Sequence, residues 1–190
     1  MFKPTPFQSR LTMAIASLVG LFASGYLLYT YVAGVPIACG SGGGCDIVRL
    51  SKWAYTFGLP RPLLGVIFYV GVFGLLVARV ATDWQGRWLY RLTMLAAIVG
   101  FIESAFLFLV QWLDIKAFCI WCLTSALAAT IIAAVAWFDG LEEHRAVSAE
   151  RELKALFVSL LVFTPIAFIG FASLLQSVSV PETIQRIRRP

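Results

Sequence analysis

The stretch AFCIWCLTSALAATIIAAVAWF, Ala117 to Phe138, contains no charged residue and carries a C-x-x-C, Cys119-Ile120-Trp121-Cys122, near its start. An apolar run of about 20 residues matches the thickness of a bilayer's hydrocarbon core. A water-soluble helix of that length would keep a polar face. The run therefore predicts a membrane helix over 117–138 with two thiols at one end. Spacing of i, i+3 places both sulfurs on one helix face, within bridging reach. Unpaired N–H groups and the dipole at a helix N-terminus favour thiolate at the first cysteine. Cys119 is thus expected to be the more acidic and more exposed thiol, and Cys122, one turn deeper, to face the interior.

Outward from this run the pattern repeats. Further apolar stretches cover 11–33, 63–81, 92–113 and 153–178, the last with Pro165 inside it. A proline is tolerated in a membrane helix and usually kinks it. Pro60 and Pro62 suit the start of the second span. Across the chain 60% of residues are hydrophobic and 13% charged, far from the balance of a soluble domain. The expectation is an all-α integral membrane protein, with residues 1–140 forming a four-helix bundle. Residues 141–190 would add a cytoplasmic loop, a fifth span and a short tail. The first run is too long for a secretory signal and is expected to remain as a helix.

Lys and Arg clusters between apolar runs account for the net charge of +5. They are expected to anchor topology, with no nucleic-acid partner and membrane lipid as the surrounding medium. A cytoplasmic N-terminus puts Lys3, Arg10, Arg79, Arg87, Arg91, Arg145, Arg151 and Lys154 inside and Arg49, Lys52, Arg61 and Lys116 outside, eight against four. Arg186, Arg188 and Arg189 of the tail bring the outside count to seven. Early helices usually dominate orientation, so the N-terminus is placed inside and all four cysteines outside, where disulfides persist.

The other two cysteines enclose Gly40-Ser41-Gly42-Gly43-Gly44. Such a glycine-rich loop is a mobile tether, and a purely structural bridge gains little from so short a loop. A redox shuttle between Cys39/Cys45 and Cys119/Cys122 is the expected use. Static disulfides in a non-catalytic membrane scaffold are the alternative. No metal is expected, since His144 is the only histidine and a zinc site would need all four thiolates. Ile47, Leu50, Ala54 and Phe57 recur at helical spacing, with Arg49, Lys52 and Thr56 opposite. They predict an amphipathic interfacial helix over 46–57, Asp46 near its start and Gly58 as its stop. It would cap the bundle mouth above Cys119. Glu103 is the one acidic residue deep in an apolar run. Such residues face the interior and often mark function; the plain alternative is a neutral carboxyl hydrogen-bonded near Ser104. Trp112, Trp121 and Trp137 lie near run ends, where an aromatic belt is expected.

Several of these residues together resemble the vitamin K epoxide reductase family in its bacterial form, here without a fused thioredoxin-like domain. They are Cys39 and Cys45, Ser51 six residues later, Gly58-Leu59-Pro60, Gly65-Val66-Ile67-Phe68-Tyr69 and Lys116 to Leu123. The likeness spans about residues 10 to 140. The order of the pairs differs from DsbB-type oxidases, in which the C-x-x-C comes first. Arg61 and Ala126 stand roughly where the animal enzymes carry an asparagine and a tyrosine near vitamin K. The resemblance implies a quinone, menaquinone or ubiquinone, beside the C-x-x-C. It implies cofactor contacts from Ser51 and Cys122, to which Glu103 is added as a candidate. It also implies catalysis by Cys39, Cys45, Cys119 and Cys122. Electrons would come from a separate extracytoplasmic thioredoxin- or DsbA-like protein and support disulfide formation at the bacterial inner membrane. Reduction of vitamin K quinone or its epoxide is the alternative activity.

Overall fold

The computed structural model describes residues 6–40, 44–56, 58–81 and 87–139. Helix α1 spans Pro6–Ala33, and a short α2 spans Gly44–Leu50. A two-stranded hairpin follows, β1 Tyr55–Thr56 and β2 Leu59–Pro60, pairing Tyr55 with Pro60 and Thr56 with Leu59. Then come α3 Arg61–Ala81, α4 Arg87–Val110 and α5 Ile120–Asp139, with a π-helical turn Gln111–Ile115 between α4 and α5. The expected fifth span at 153–178 lies outside the described residues.

Four helices are long and apolar enough to cross a membrane: Phe7–Ala33, Arg61–Arg79, Leu89–Ile115 and Ile120–Phe138. This is a multi-pass membrane protein. Helix α1 packs against α3 and α5, and α4 packs against the same two, closing a four-helix ring. More than half of α1's apolar window is buried, 56%, against 17–22% for the other three. Its sequence suits that inner position. Met13, Ala14, Ala16 and Ala23 are buried, and small residues let membrane helices approach closely. Ser17 and Thr30 donate their hydroxyls to the carbonyls of Met13 and Leu27 on their own helix, so neither hydroxyl is left bare in an apolar medium. The exposed residues of α3 and α4 include Ile67 and Val70 on the one and Leu95, Ile98 and Ile102 on the other, recurring at helical spacing, as a lipid-facing stripe does.

The lid segment departs from its expected form. The helix begins at Gly44 and stops at Leu50, where one over 46–57 was expected. The Val48 carbonyl accepts from both the Ser51 backbone N–H (3.2 Å) and the Ser51 hydroxyl (2.7 Å), which closes the helix in a turn. Its buried face is Cys45 and Val48. Ile47 and Leu50, of the apolar face expected from the sequence, are 54% and 80% exposed and suit an interface. Gly58, with φ of +79°, turns the hairpin rather than capping the helix. Three polar ties fasten the lid. Arg49 donates to the carbonyls of Thr30 (3.2 Å) and Val35 (2.7 Å) and pairs with Asp46. Lys52 and the Trp53 indole N–H both reach Asp114 on the π-turn. The Arg61 backbone N–H reaches the Ala54 carbonyl.

Candidate active site

All four cysteines converge at the lid end of the bundle. Cys39 and Cys45 form a disulfide, with Cα atoms 5.9 Å apart, and Cys119 and Cys122 are free thiols. Cys45 and Cys119 are each 1% exposed and share one buried cluster with Tyr26, Leu27, Ile37 and Val48; Cys39, Trp121 and Cys122 pack at its edge. Cys45 is therefore bonded to Cys39 and packed in the same cluster as Cys119. Gly44 is the point of closest approach: a Cβ there would run into the carbonyl of Phe118, so α2 rests directly on the backbone before Cys119.

The helix carrying the C-x-x-C begins at Ile120, not at 117, and Cys119 stands just before its first residue. The Cys119 carbonyl accepts from the Leu123 N–H at 2.9 Å, and its own N–H donates to the Gln111 side chain at 2.8 Å. Gln111 is itself buried and is offered by the π-turn, the kind of irregular turn that recurs at functional sites. Lys116, in the left-handed conformation with φ of 54°, then reverses the chain into α5. The Cys122 N–H points at Cys119 Sγ, 3.4 Å away. The Cys122 thiol and the N–H groups of Cys122 and Trp121 hold the Cys119 thiol below the usual range, against the opposing effect of burial. The expected acidity of Cys119 is present. The expected exposure is not, because α2 covers Cys119 while Cys122 opens onto a cavity.

That cavity has a volume of about 430 Å³ and runs between the lid and all four spans, within the range of small-molecule sites. Its lining is mostly apolar and includes Cys122, Ser51, Arg61, Glu103 and Ala126. Glu103 borders the cavity but is 48% exposed, and its partner is Arg61, with which it forms an ion pair, and not Ser104. Ser51 lines the cavity with its proton already given to Val48, which leaves its hydroxyl oxygen able only to accept. One turn after Cys122, the Tyr69 hydroxyl donates to the Ser125 carbonyl at 2.6 Å and lies 2.9 Å from Ser125 Oγ; Ser24 Oγ lies 3.4 Å from Ser125 Oγ. Sequence reasoning did not single out this hydroxyl cluster. Its one signal was a tyrosine and two serines inside apolar runs. Two buried polar atoms of the lining, Arg61 Nε and Thr56 Oγ1, have no hydrogen-bond partner among the described residues. An apolar space holding a thiol and two such atoms fits a flat apolar ring that bears oxygens.

Trp121 does not belong to an aromatic belt. Its ring packs on Tyr26 with centroids 4.7 Å apart and meets the edge of Phe22 at 6.1 Å. Trp112 and Trp137 are exposed on the outer surface.

The model of the vitamin K epoxide reductase family matches residues 11–137. This chain belongs to the vitamin K epoxide reductase family. As a member it is a membrane oxidoreductase concerned with thiol and disulfide chemistry, in a family that is generally quinone-linked and generally works with thioredoxin-like partners. The match takes in the lid and all four helices of the ring, short of the first five residues of α1 and the last two of α5.

Proposed function

We propose that this vitamin K epoxide reductase family member passes electrons from a reduced thioredoxin- or DsbA-like protein through Cys39/Cys45 and Cys119/Cys122 to a quinone. The observation that carries this reading is the sharing of one buried cluster by Cys45 and Cys119 while Cys122 faces the cavity. The task served is net disulfide formation at the non-cytoplasmic face of a bacterial inner membrane. The N-terminus is then cytoplasmic, and residues 1–140 are the catalytic bundle.

The sulfur chemistry balances in thiol exchanges. A partner thiolate attacks Cys39 and breaks the loop disulfide. The partner's second thiol displaces Cys39, so the partner leaves oxidised and both loop cysteines leave as thiols. The Cys45 thiolate next attacks Cys119 of a Cys119–Cys122 disulfide, and Cys122 departs as thiolate. The Cys39 thiolate then attacks Cys45, which restores the loop disulfide and releases Cys119. A thiol of lowered pKa is the better leaving group, so the acidity of Cys119 favours this last step. The resulting state, loop pair oxidised and C-x-x-C reduced, is the one in the structure.

A bound menaquinone or ubiquinone supplies a two-electron, two-proton acceptor. Arg61 Nε–H and Thr56 Oγ1 are the groups available to hold its oxygens. Ser51 borders the same space as an acceptor, and Glu103 keeps the Arg61 guanidinium oriented. The apolar lining and the lid exclude water. Cys122, as the thiol on the cavity, gives up the electron pair as the Cys119–Cys122 bond re-forms.

Redox titration of the purified protein with quinone, following all four cysteines by differential alkylation, tests the reading. The expected result is oxidation of Cys119/Cys122 by quinone and of Cys39/Cys45 only through them. Oxidation of the loop pair by quinone in a variant lacking Cys119 and Cys122 overturns the relay. Labelling intact cells with an impermeant maleimide after mild reduction tests the orientation, and protection of Cys39 until the membrane is opened reverses it.

A further inference from the structure

The residue before the first loop cysteine is held from two sides. The Ala38 backbone N–H donates to the Tyr26 hydroxyl at 2.9 Å, and the Ala38 carbonyl accepts from the Trp121 indole N–H at 2.7 Å. Both backbone groups of one loop residue are thereby tied to α1 and α5, and the two rings that hold them are packed on each other. Trp121 lies between Cys119 and Cys122, so the tie runs from the C-x-x-C itself to the backbone beside Cys39. Cys45 has a different attachment. It rides on α2, whose N-terminus rests on the Phe118 carbonyl and which Arg49 fastens to the end of α1.

We infer that Trp121 is a positioning residue that holds Cys39 in place as the thiol that resolves the Cys45–Cys119 mixed disulfide. The inference rests on the relay proposed above. In that relay the mixed disulfide forms when Cys45 attacks Cys119 and expels Cys122. It disappears when the Cys39 thiolate attacks Cys45, forms the Cys39–Cys45 bond and releases Cys119 with the electron pair of the broken bond. No outside oxidant or reductant enters this step. Its rate depends on how often Cys39 lies in line with the Cys45–Cys119 bond. A cysteine on a loop rich in glycine would otherwise spend most of its time elsewhere. The Tyr26 and Trp121 clasp removes that freedom on the Cys39 side. The clasp also explains why a tryptophan at a helix end is turned inward, against the habit of membrane-interface tryptophans.

The test uses the full-length protein in detergent, with Trp121→Phe and Tyr26→Phe as variants. Each keeps an aromatic ring in the packing and loses one side of the clasp. Protein with all cysteines oxidised is pulsed with dithiothreitol, quenched in acid at intervals, alkylated and mapped by mass spectrometry. The Cys45–Cys119 cross-link is expected to be transient in the wild type. Its lifetime is expected to lengthen about three- to tenfold in Trp121→Phe, as loss of one hydrogen bond implies, and to lengthen also in Tyr26→Phe. The thermal transition and the rate of the first reduction of the loop disulfide should change little, which a merely structural role does not predict. An unchanged or shortened lifetime in both variants overturns the inference. If Trp121→Phe does not fold, Tyr26→Phe decides alone. A wild type that reduces both pairs independently, with no Cys45–Cys119 link at any time, overturns the relay itself, a result distinct from equal lifetimes in wild type and variants.

Discussion

The two sides of the C-x-x-C are built on opposite principles. On the lid side, Cys119 is 1% exposed in a packed cluster, and the polar groups around it are paired: Gln111 with its N–H, Arg49 with two carbonyls, Trp121 and Tyr26 with Ala38. On the other side, one helical turn away, Cys122 borders an open cavity whose wall keeps unpaired polar atoms. Exchange between sulfurs fixed in one chain gains from tight packing, since alignment and not diffusion limits it. A diffusible acceptor needs space to enter and polar groups not already satisfied by the protein. The contrast separates the residues by role.

Substitution of Cys122 breaks this contrast most severely. Cys122→Ser should bring quinone reduction down to background, while the Cys119 thiolate can still attack Cys45 of the loop disulfide and expel Cys39, so that a Cys45–Cys119 link builds up with no Cys122 thiol to displace Cys45 from Cys119. Stopped-flow absorbance of the quinone and non-reducing peptide mapping give the two readings. Normal quinone turnover in this variant would remove Cys122 from its proposed role.

Arg61→Met acts on the cavity side alone. It removes the unpaired Nε–H and strands Glu103. A hydrogen bond from a charged donor is worth roughly 1.5–3 kcal/mol, so the KM for quinone should rise about tenfold or more. The rate of exchange between the cysteine pairs should stay as in the wild type. Glu103→Gln, which can still accept from Arg61, should shift KM far less. A slowed exchange in Arg61→Met would show that the two sides are not separate.

Gly44→Ala acts on the lid side alone. The added Cβ meets the Phe118 carbonyl, and since backbone cannot yield as a side chain does, α2 must lift. Overpacking of this kind costs about 1–3 kcal/mol, seen as a lower unfolding temperature in detergent and slower exchange. Stiffening a freely exposed tether would not lower stability, so this position tells a docked lid from a loose one. The smallest effect is a matter of pH. With its pKa held down, reduced Cys119 should reach its maximal alkylation rate at a lower pH than an ordinary cysteine, because more of it is thiolate near neutrality. Cys119 profiles in Gln111→Ala should keep this feature, since the cause lies in the N–H groups and thiol at the start of α5.

The spans were legible because each is a long apolar run, and the length of the bilayer leaves only one structure for such a run. The four cysteines were legible for a similar reason: two close pairs near run ends belong at one end of a bundle. What escaped were pairings across the chain. Arg61 and Glu103 are 42 residues apart and Trp121 and Ala38 are 83 apart, and no local period joins them. The lid helix was read as too long because Ile47, Leu50 and Ala54 keep helical spacing, yet Ser51 hydrogen-bonds back to Val48 and ends it at Leu50. The exposure of Cys119 was misjudged because a helix N-terminus is open by default, and only the folded lid covers it.

Arg49, Lys52 and Arg61 all lie at the lid end, and each is matched by a carboxylate, Asp46, Asp114 and Glu103 respectively. Three of the four cations counted outside between the spans are therefore, in the folded protein, halves of ion pairs, which leaves Lys116 to carry the small net charge of the described rim. Such a rim throws little field into the surrounding water. A docking protein approaching it is neither drawn nor repelled from afar, so the rate of encounter should barely respond to added electrolyte. Recognition then falls to short-range fit around Cys39, which leaves room for partners of either sign.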